Sequence, residues 1–82
     1  MIPRISSVEV LEDYCLFVVF DDGKKVIYDV KTDMEEIPSY GVLQNVSGLF
    51  KLVKLDESRT CLFWNDDVDL PSDTIYEYGV AV

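Results

Sequence analysis

Histidine is absent from this chain of 82 residues, and cysteine occurs only twice. Because histidine is the commonest general base and metal ligand, its absence excludes Ser-His-Asp and Cys-His catalysis and histidine-bound zinc or iron. Cys15 and Cys61 are too few for a four-thiolate cluster and too far apart for a CxxC pair. Both lie in apolar runs, which favours two small buried side chains over a disulfide or a redox role. We therefore expect no catalytic residues, no metal site, no cofactor and no enzymatic activity.

Basic residues are scarce. Lys and Arg number 7 against 16 Asp and Glu, which gives a formal net charge of −9. After residue 60 there is no base at all, and the acids are Asp66, Asp67, Asp69, Asp73 and Glu77. Because nucleic-acid binding needs clustered cations at the phosphates, we expect no nucleic-acid partner. The acidic surface either maintains solubility or steers a basic protein partner toward the chain.

Long apolar segments are missing as well. The longest uninterrupted apolar run covers residues 15–20, far short of the roughly 20 residues that span a bilayer. The first six residues include a proline and lack the apolar core of a signal peptide. These absences predict a cytoplasmic protein without membrane association.

The first half of the chain has the pattern of β-strands. Apolar residues alternate over 5–11, and residues 24–30 resume that alternation after the turn signal Asp21-Asp22-Gly23. The segment between them, residues 14–20, is dense in aromatic and β-branched side chains, which is typical of a strand covered on both faces. The clearest local prediction is a β-hairpin with Gly23 at its tip.

The second half mixes short helices and strands. Residues 31–36 predict one helical turn, and residues 46–51 predict a short helix that buries Leu49 and Phe50. Residues 51–55 and 60–64 predict a second hairpin, followed by a short strand at 68–70. A helix is expected to begin at Pro71 or Ser72 and to end at Gly79. The apolar tail, residues 80–82, either packs back or contacts another chain.

Together these patterns predict one α+β domain over residues 1–82. It would contain a small antiparallel sheet of β-hairpins and two or three short helices, one of them near the C-terminus.

A calcium loop is the most specific metal motif that the acids suggest. Asn65, Asp67 and Asp69 occupy positions 1, 3 and 5 of an EF-hand loop, but Leu70 and Tyr76 stand where the loop needs glycine and glutamate. A turn followed by a helix cap explains the same residues, so we expect no metal here.

Aromatic side chains are numerous for so small a chain, and most should lie in the core. Trp64 is expected to straddle the core and the surface. Tyr76 and Tyr78 are two residues apart on the predicted helix, so they project to different sides and one is expected to be exposed.

An ordered set of motifs over residues 3–77 resembles the domain-of-unknown-function 2442 family. The motifs are Pro3-Arg4-Ile5, Ser7-Val8-Glu9, Leu11-Glu12-Asp13-Tyr14, Val19-Phe20-Asp21-Asp22-Gly23, Tyr28-Asp29-Val30, the run Leu49 to Asp56, Trp64, Asp69-Leu70, Asp73 and Tyr76. The resemblance implies a small bacterial α+β domain with no established activity. Some relatives carry a helix-turn-helix domain, and others are suggested to be antitoxin-like partners. The chain departs from the family at Asn65-Asp66-Asp67, where relatives usually have a Pro-Asn-Gly turn.

The leading functional hypothesis is a non-enzymatic protein-interaction module, an antitoxin-like partner of a basic protein. The expected partner contacts are Trp64, Asp66, Asp67, Asp69, Asp73 and Tyr76. Asp69 and Asp73 have an alternative role in capping the C-terminal helix. A second hypothesis is a small-ligand-sensing or regulatory domain with a pocket between sheet and helix. A third is a homo-oligomer held by a sheet edge or by residues 78–82.

Overall fold

A computed structural model describes residues 2–65 and 67–82 and confirms the α+β class. Its elements are β1 (Ile5–Val10), β2 (Cys15–Phe20), β3 (Lys25–Asp29), α1 (Lys31–Glu36), α2 (Val42–Asn45), β4 (Lys54–Leu55), β5 (Cys61–Asn65), β6 (Val68–Pro71), α3 (Ser72–Tyr78) and β7 (Val80–Ala81). Two 3₁₀ turns lie at Pro38–Gly41 and Phe50–Leu52. None of the helices in this part of the chain is long and apolar enough to cross a membrane.

The first sheet has the strand order β1-β2-β3-β7, and every neighbouring pair is antiparallel. The predicted hairpin is confirmed as β2 and β3, with Val18 opposite Val26. Gly23 at its tip has φ of +92°, a left-handed conformation that glycine adopts without steric cost. The Gly23 N–H donates to the carbonyl oxygen of Phe20 at 2.9 Å, which closes the turn.

The two faces of the first sheet differ in burial. Leu16 and Val18 on β2 and Val26 on β3 are fully buried on one face. The alternate residues Phe17 and Ile27 are only half-buried and point to the opposite face. The described chain therefore covers one face of β2, whereas the sequence predicts a strand covered on both.

The second sheet has the order β4-β5-β6 and includes the second predicted hairpin. The helix predicted at 46–51 is wrong in position. Helix α2 lies earlier, and Gly48 with φ of +81° leaves the helical path before the Phe50–Leu52 turn. Phe50 is buried as expected, whereas Leu49 only packs against the edge of the core. Strand β4 is shorter than predicted and contains two residues.

One hydrophobic core joins both sheets and α3, with Leu16, Leu62 and Ile75 fully buried from the three elements. Ser72, the first residue of α3, is also fully buried, and its hydroxyl donates to the carbonyl oxygen of Pro3 at 2.6 Å. A buried hydroxyl needs such a partner. This bond ties the N-terminal segment to the start of α3.

Helix α3 and the tail pack as one unit against β3. The helix begins at Ser72 and is followed by Gly79, as the sequence predicts. The tail packs back, because Val80 lies opposite Ile27 and the Val82 N–H donates to the carbonyl oxygen of Lys25 at 3.0 Å. The side chains of Val80 and Val82 nevertheless stay largely exposed.

Candidate functional site

Trp64 lies in the core, so the expectation that it straddles the surface is wrong. Its side chain is 5% exposed, and its indole Nε1–H donates to the carbonyl oxygen of Phe50 at 2.9 Å. The ring stacks on Phe50 at a centroid distance of 5.8 Å and meets the edge of Tyr40 at 6.3 Å. Strand alternation on β5 turns Trp64 inward, because Leu62 and Trp64 share the buried face.

Tyr40 completes this aromatic cluster and links it to β6. Its hydroxyl donates to the backbone carbonyl oxygen of Asp69. Burial, together with the negative charges of Asp33 and Asp69, raises the pKa of Tyr40 to about 12. The hydroxyl therefore stays protonated and remains a donor at neutral pH.

Asp67 and Asp69 stand on the β5–β6 hairpin with exposed side chains. The turn depends on Asn65, whose Oδ1 accepts the backbone N–H groups of Asp67 and Val68, both at 2.9 Å. Such hydrogen bonds to an asparagine side chain are typical of an Asx-type turn. Asp66, the other acid of the predicted contact set, lies outside the described residues.

Asp73 and Tyr76 are brought together on one side of α3, and Glu77 joins them because residues three and four apart share a helix face. All three line a shallow groove with Pro3 and Lys24. Asp67 and Asp69 do not line this groove. The spacing of Asp73 and Glu77 could have placed Glu77 on the same helix face from the sequence, but the predicted set omits it.

The N-cap residue of α3 is Pro71, which makes no side-chain cap hydrogen bond, and of the two acids with a predicted capping role only Asp73 lies at the start of the helix. Asp73 lies in the first turn of α3, and its Oδ1 accepts the backbone N–H of Thr74 at 2.9 Å. Asp69 is a residue of β6 and pairs with Phe63 across the ladder. Its carboxylate is therefore a surface charge of a strand.

Tyr76 is held in place on several sides. Its ring meets the edge of Phe20 at 4.9 Å, and the Lys24 ammonium lies 4.0 Å from the ring centroid. The hydroxyl donates to Oδ2 of Asp22 at 2.6 Å, and Lys24 Nζ donates to the Tyr76 carbonyl oxygen at 2.9 Å. These contacts join α3 to the β2–β3 hairpin. Tyr78, by contrast, is 71% exposed, which confirms that one of the two tyrosines faces solvent.

The Tyr76 hydroxyl also sets the protonation of its partner. The hydrogen bond lowers the pKa of Asp22 and raises the pKa of Tyr76, since it stabilises the carboxylate and the protonated phenol together. Because the folded pKa of Asp22 lies below its unfolded value, the ionised carboxylate contributes stability at neutral pH. That contribution is lost as the pH falls through the folded pKa.

The substitution Tyr76→Phe is expected to raise the pKa of Asp22 toward its ordinary value, because it removes the strongest donor to the carboxylate. An NMR titration of the side-chain carboxyl carbons measures this shift. Asp56 is an internal control, because its pKa is lowered by hydrogen bonds from Ser58 instead. An Asp22 titration that is unchanged in the variant would contradict the assignment of this hydrogen bond.

A larger open groove of about 830 Å³ lies beside Tyr76, between the N-terminal segment and the β2–β3 turn. Its lining residues are Ile2, Pro3, Arg4, Phe20, Asp21, Asp22, Thr60 and Tyr76. Asp21 in this lining is paired, because its Oδ1 lies 2.8 Å from Nη1 of Arg59. The sequence predicts the Asp21-Asp22-Gly23 turn but not its position near α3, which depends on long-range packing. The hypothesis of a ligand-sensing domain with a pocket between sheet and helix stays a prediction.

Charge pairing is sparse in the structure. Among residues 2–65 and 67–82, two ion pairs form, Lys31 with Asp29 at 3.2 Å and Arg59 with Asp21 at 2.8 Å. Most carboxylates of this part of the chain therefore face solvent without a nearby base. Their field is negative over the surface and attracts positively charged molecules.

The cysteines are neither fully buried nor paired. Cys15 and Cys61 are free thiols with half-buried side chains, so they are less buried than the sequence predicts. Partial burial raises the pKa of Cys61, which keeps it a protonated thiol at neutral pH. Within the described ranges, no cluster of three cysteine, aspartate or glutamate side chains is placed to hold a metal ion.

Comparison with known proteins identifies a family but no function. The family described as "Protein of unknown function (DUF2442)" matches residues 5–81. No curated protein and no solved structure matches the chain. The match covers nearly the whole chain and agrees with the resemblance carried by residues 3–77. The chain belongs to the DUF2442 family of proteins of unknown function.

Proposed function

We propose that the protein is a non-enzymatic interaction module that binds a basic protein through carboxylates on α3 and β6. The observation that carries this proposal is the charge of the C-terminal part. Residues 67–82 include Asp67, Asp69, Asp73 and Glu77 and no base. A basic partner would be steered to such a surface at long range.

The α3 acidic face, Asp73 and Glu77 with Tyr76 between them, supplies the central contacts of this proposal. A cationic side chain of the partner would lie between two carboxylates one helical turn apart. The Lys24 ammonium already lies over the ring of Tyr76, so this ring is not free to contact a partner. Tyr76 contributes by fixing the position of the α3 acidic face. Trp64 is buried and contributes through the core alone.

The antitoxin-like role that the family resemblance implies is one form of this function, with a basic neighbouring protein as the partner. We propose that the encounter takes place in a bacterial cytoplasm. The two free thiols fit a reducing compartment.

The expected result of an affinity capture from the source cell is enrichment of a basic protein that decreases as salt rises from about 0.05 M to about 0.5 M, because salt screens exposed charges. The double variant Asp73→Asn, Glu77→Gln should capture less of it at low salt. Quantitative mass spectrometry of the captured fraction measures both effects. Asn at position 73 keeps the oxygen that accepts the Thr74 N–H, so this hydrogen bond persists.

A matched control removes the same number of charges elsewhere. Glu12 and Glu57 are exposed acids outside α3 and β6, and Glu12→Gln, Glu57→Gln should leave the capture closer to that of the native chain. If no basic protein is enriched, or if enrichment ignores salt, the proposal is wrong. Equal losses in the two double variants would show that the net charge acts without this face.

A further inference from the structure

The outer face of the first sheet carries an apolar surface on three adjacent strands, β2, β3 and β7. Its apolar side chains are Phe17 and Val19 on β2, Ile27 on β3, and Val80 and Val82 on the tail. Phe17 lies opposite Ile27, and Ile27 lies opposite Val80, so the three form one continuous row. Val19 and Val82 lie on the same face beside this row, so the five side chains form a single patch.

The hydrophobic core of this chain does not cover that patch. Phe17, Val19 and Ile27 are half-buried, yet they are not among the side chains that pack against the core. An antiparallel strand with one solvated face normally alternates apolar and polar residues, whereas β2 reads Cys-Leu-Phe-Val-Val-Phe. Its composition fits a strand that is covered on both sides.

Charge favours a second copy of this chain as the cover. Glu9 lies in the row of Phe17 on β1, and Lys25 lies opposite Val19 on β3. The two charges therefore flank β2 on opposite sides. A twofold axis along β2 places β1 of one copy over β3 of the other, which brings each Glu9 toward the other copy's Lys25.

The rest of the surface disfavours self-association, because a chain with a net charge of −9 repels its own copies. The outer face is the exception. Its flanking charges, Glu9 and Lys25, are of opposite sign, and Asp29 at its end is paired with Lys31 at 3.2 Å. Two copies that meet at this face with Glu9 toward Lys25 therefore repel each other less than two copies that meet through α3, where Asp73 and Glu77 have the same sign. A basic partner would prefer the acids of α3.

We propose that the protein forms a homodimer in which the outer faces of two first sheets pack against each other. Four strands about 4.8 Å apart give a face of roughly 400 Å² per copy, below the roughly 800 Å² of a standard interface. The dimer is therefore reversible and dissociates on dilution. The tail contributes the side chains of Val80 and Val82, since its backbone already pairs with β3.

Sedimentation equilibrium of the full chain over about 1 µM to 1 mM tests the dimer. The mass should rise from 9.4 kDa toward twice that value as concentration increases. Ile27→Lys and Val80→Lys should each raise the dissociation constant about tenfold or more, because each places a cation in an apolar contact. Val80 is 69% exposed, so its variant keeps the fold even if Ile27→Lys does not.

Leu52→Lys is the matched control, because Leu52 is 61% exposed and lies in the Phe50–Leu52 turn, outside the outer face. It should leave the dissociation constant unchanged. A chain that stays monomeric at every concentration overturns the proposal. So does a Leu52→Lys variant that weakens the dimer as much as Val80→Lys does.

A charge exchange tests the arrangement of the two copies. Glu9→Lys and Lys25→Glu should each weaken the dimer, because like charges then face each other, and the combined variant should restore it while keeping the net charge. A combined variant weaker than either single variant overturns the proposed twofold arrangement. Capture of the basic partner through α3 is a separate measurement, so failure of the dimer leaves that function testable.

Discussion

Replacing Trp64 with alanine is expected to lower the free energy of unfolding by about 3–5 kcal/mol, because it removes a large buried side chain and leaves a cavity. The same change leaves the Phe50 carbonyl oxygen without its indole donor. A domain of this size is stabilised by about 4–12 kcal/mol in total. Urea denaturation, followed by far-UV circular dichroism, should therefore show a variant that has lost a large fraction of its stability.

Trp64→Phe separates packing from the hydrogen bond. Phenylalanine keeps the aromatic contact with Phe50 but has no N–H, so the expected loss is smaller, about 1–3 kcal/mol. The ranking of the two variants is the decisive measurement. A loss below about 1 kcal/mol for Trp64→Ala, with an unchanged denaturant dependence, would show that Trp64 is not a core residue.

The substitution Gly79→Ala is expected to destabilise the protein by about 1–3 kcal/mol, because there is no room for the added methyl group. A Cβ at this position would lie 2.6 Å from the Ile75 carbonyl oxygen and 2.9 Å from the Val26 side chain. Backbone strain is not the cause, since Gly79 has φ of −68°. Urea denaturation measures the loss, and faster amide exchange at Val82 should show that β7 has separated from β3.

Gly41→Ala is the control for this prediction. Gly41 has φ of −58°, and the nearest atom to an added Cβ is Nδ2 of Asn45 at 3.9 Å. We expect this variant to be neutral or slightly stabilised, by up to about 1 kcal/mol, because alanine restricts the unfolded chain. Equal destabilisation by the two substitutions would contradict the steric explanation for Gly79.

Local features of the fold could be predicted because they depend on neighbours in the chain. The β2–β3 hairpin is confirmed since Gly23 supplies the turn and the flanking residues alternate. In the sequence, only the polar pair Glu12-Asp13 marks the β1–β2 turn. Asp13 and Tyr14 both adopt positive φ there, at 58° and 59°, without a glycine to indicate it.

The candidate site was predictable in composition but not in arrangement. The excess of acids near the C-terminus follows from the sequence, and Asp73 does lie on an accessible helix face. The contact between Tyr76 and Asp22 joins residues 54 positions apart, so no local pattern indicates it. Burial of Trp64 likewise depends on Phe50 and Tyr40 from separate segments.

The order of residues was sufficient to establish the α+β class and the ends of α3, because strand alternation and turn residues act over a few neighbouring positions. It also established the family, through motifs along the chain, and the excess of acids, which is a sum over the composition. Three-dimensional packing alone decided which aromatic side chains were buried and why Gly79 admits no side chain. It also decided which face of β2 was left uncovered. Those outcomes depend on contacts between segments far apart in the chain, where steric fit and exclusion of water take precedence over local preference.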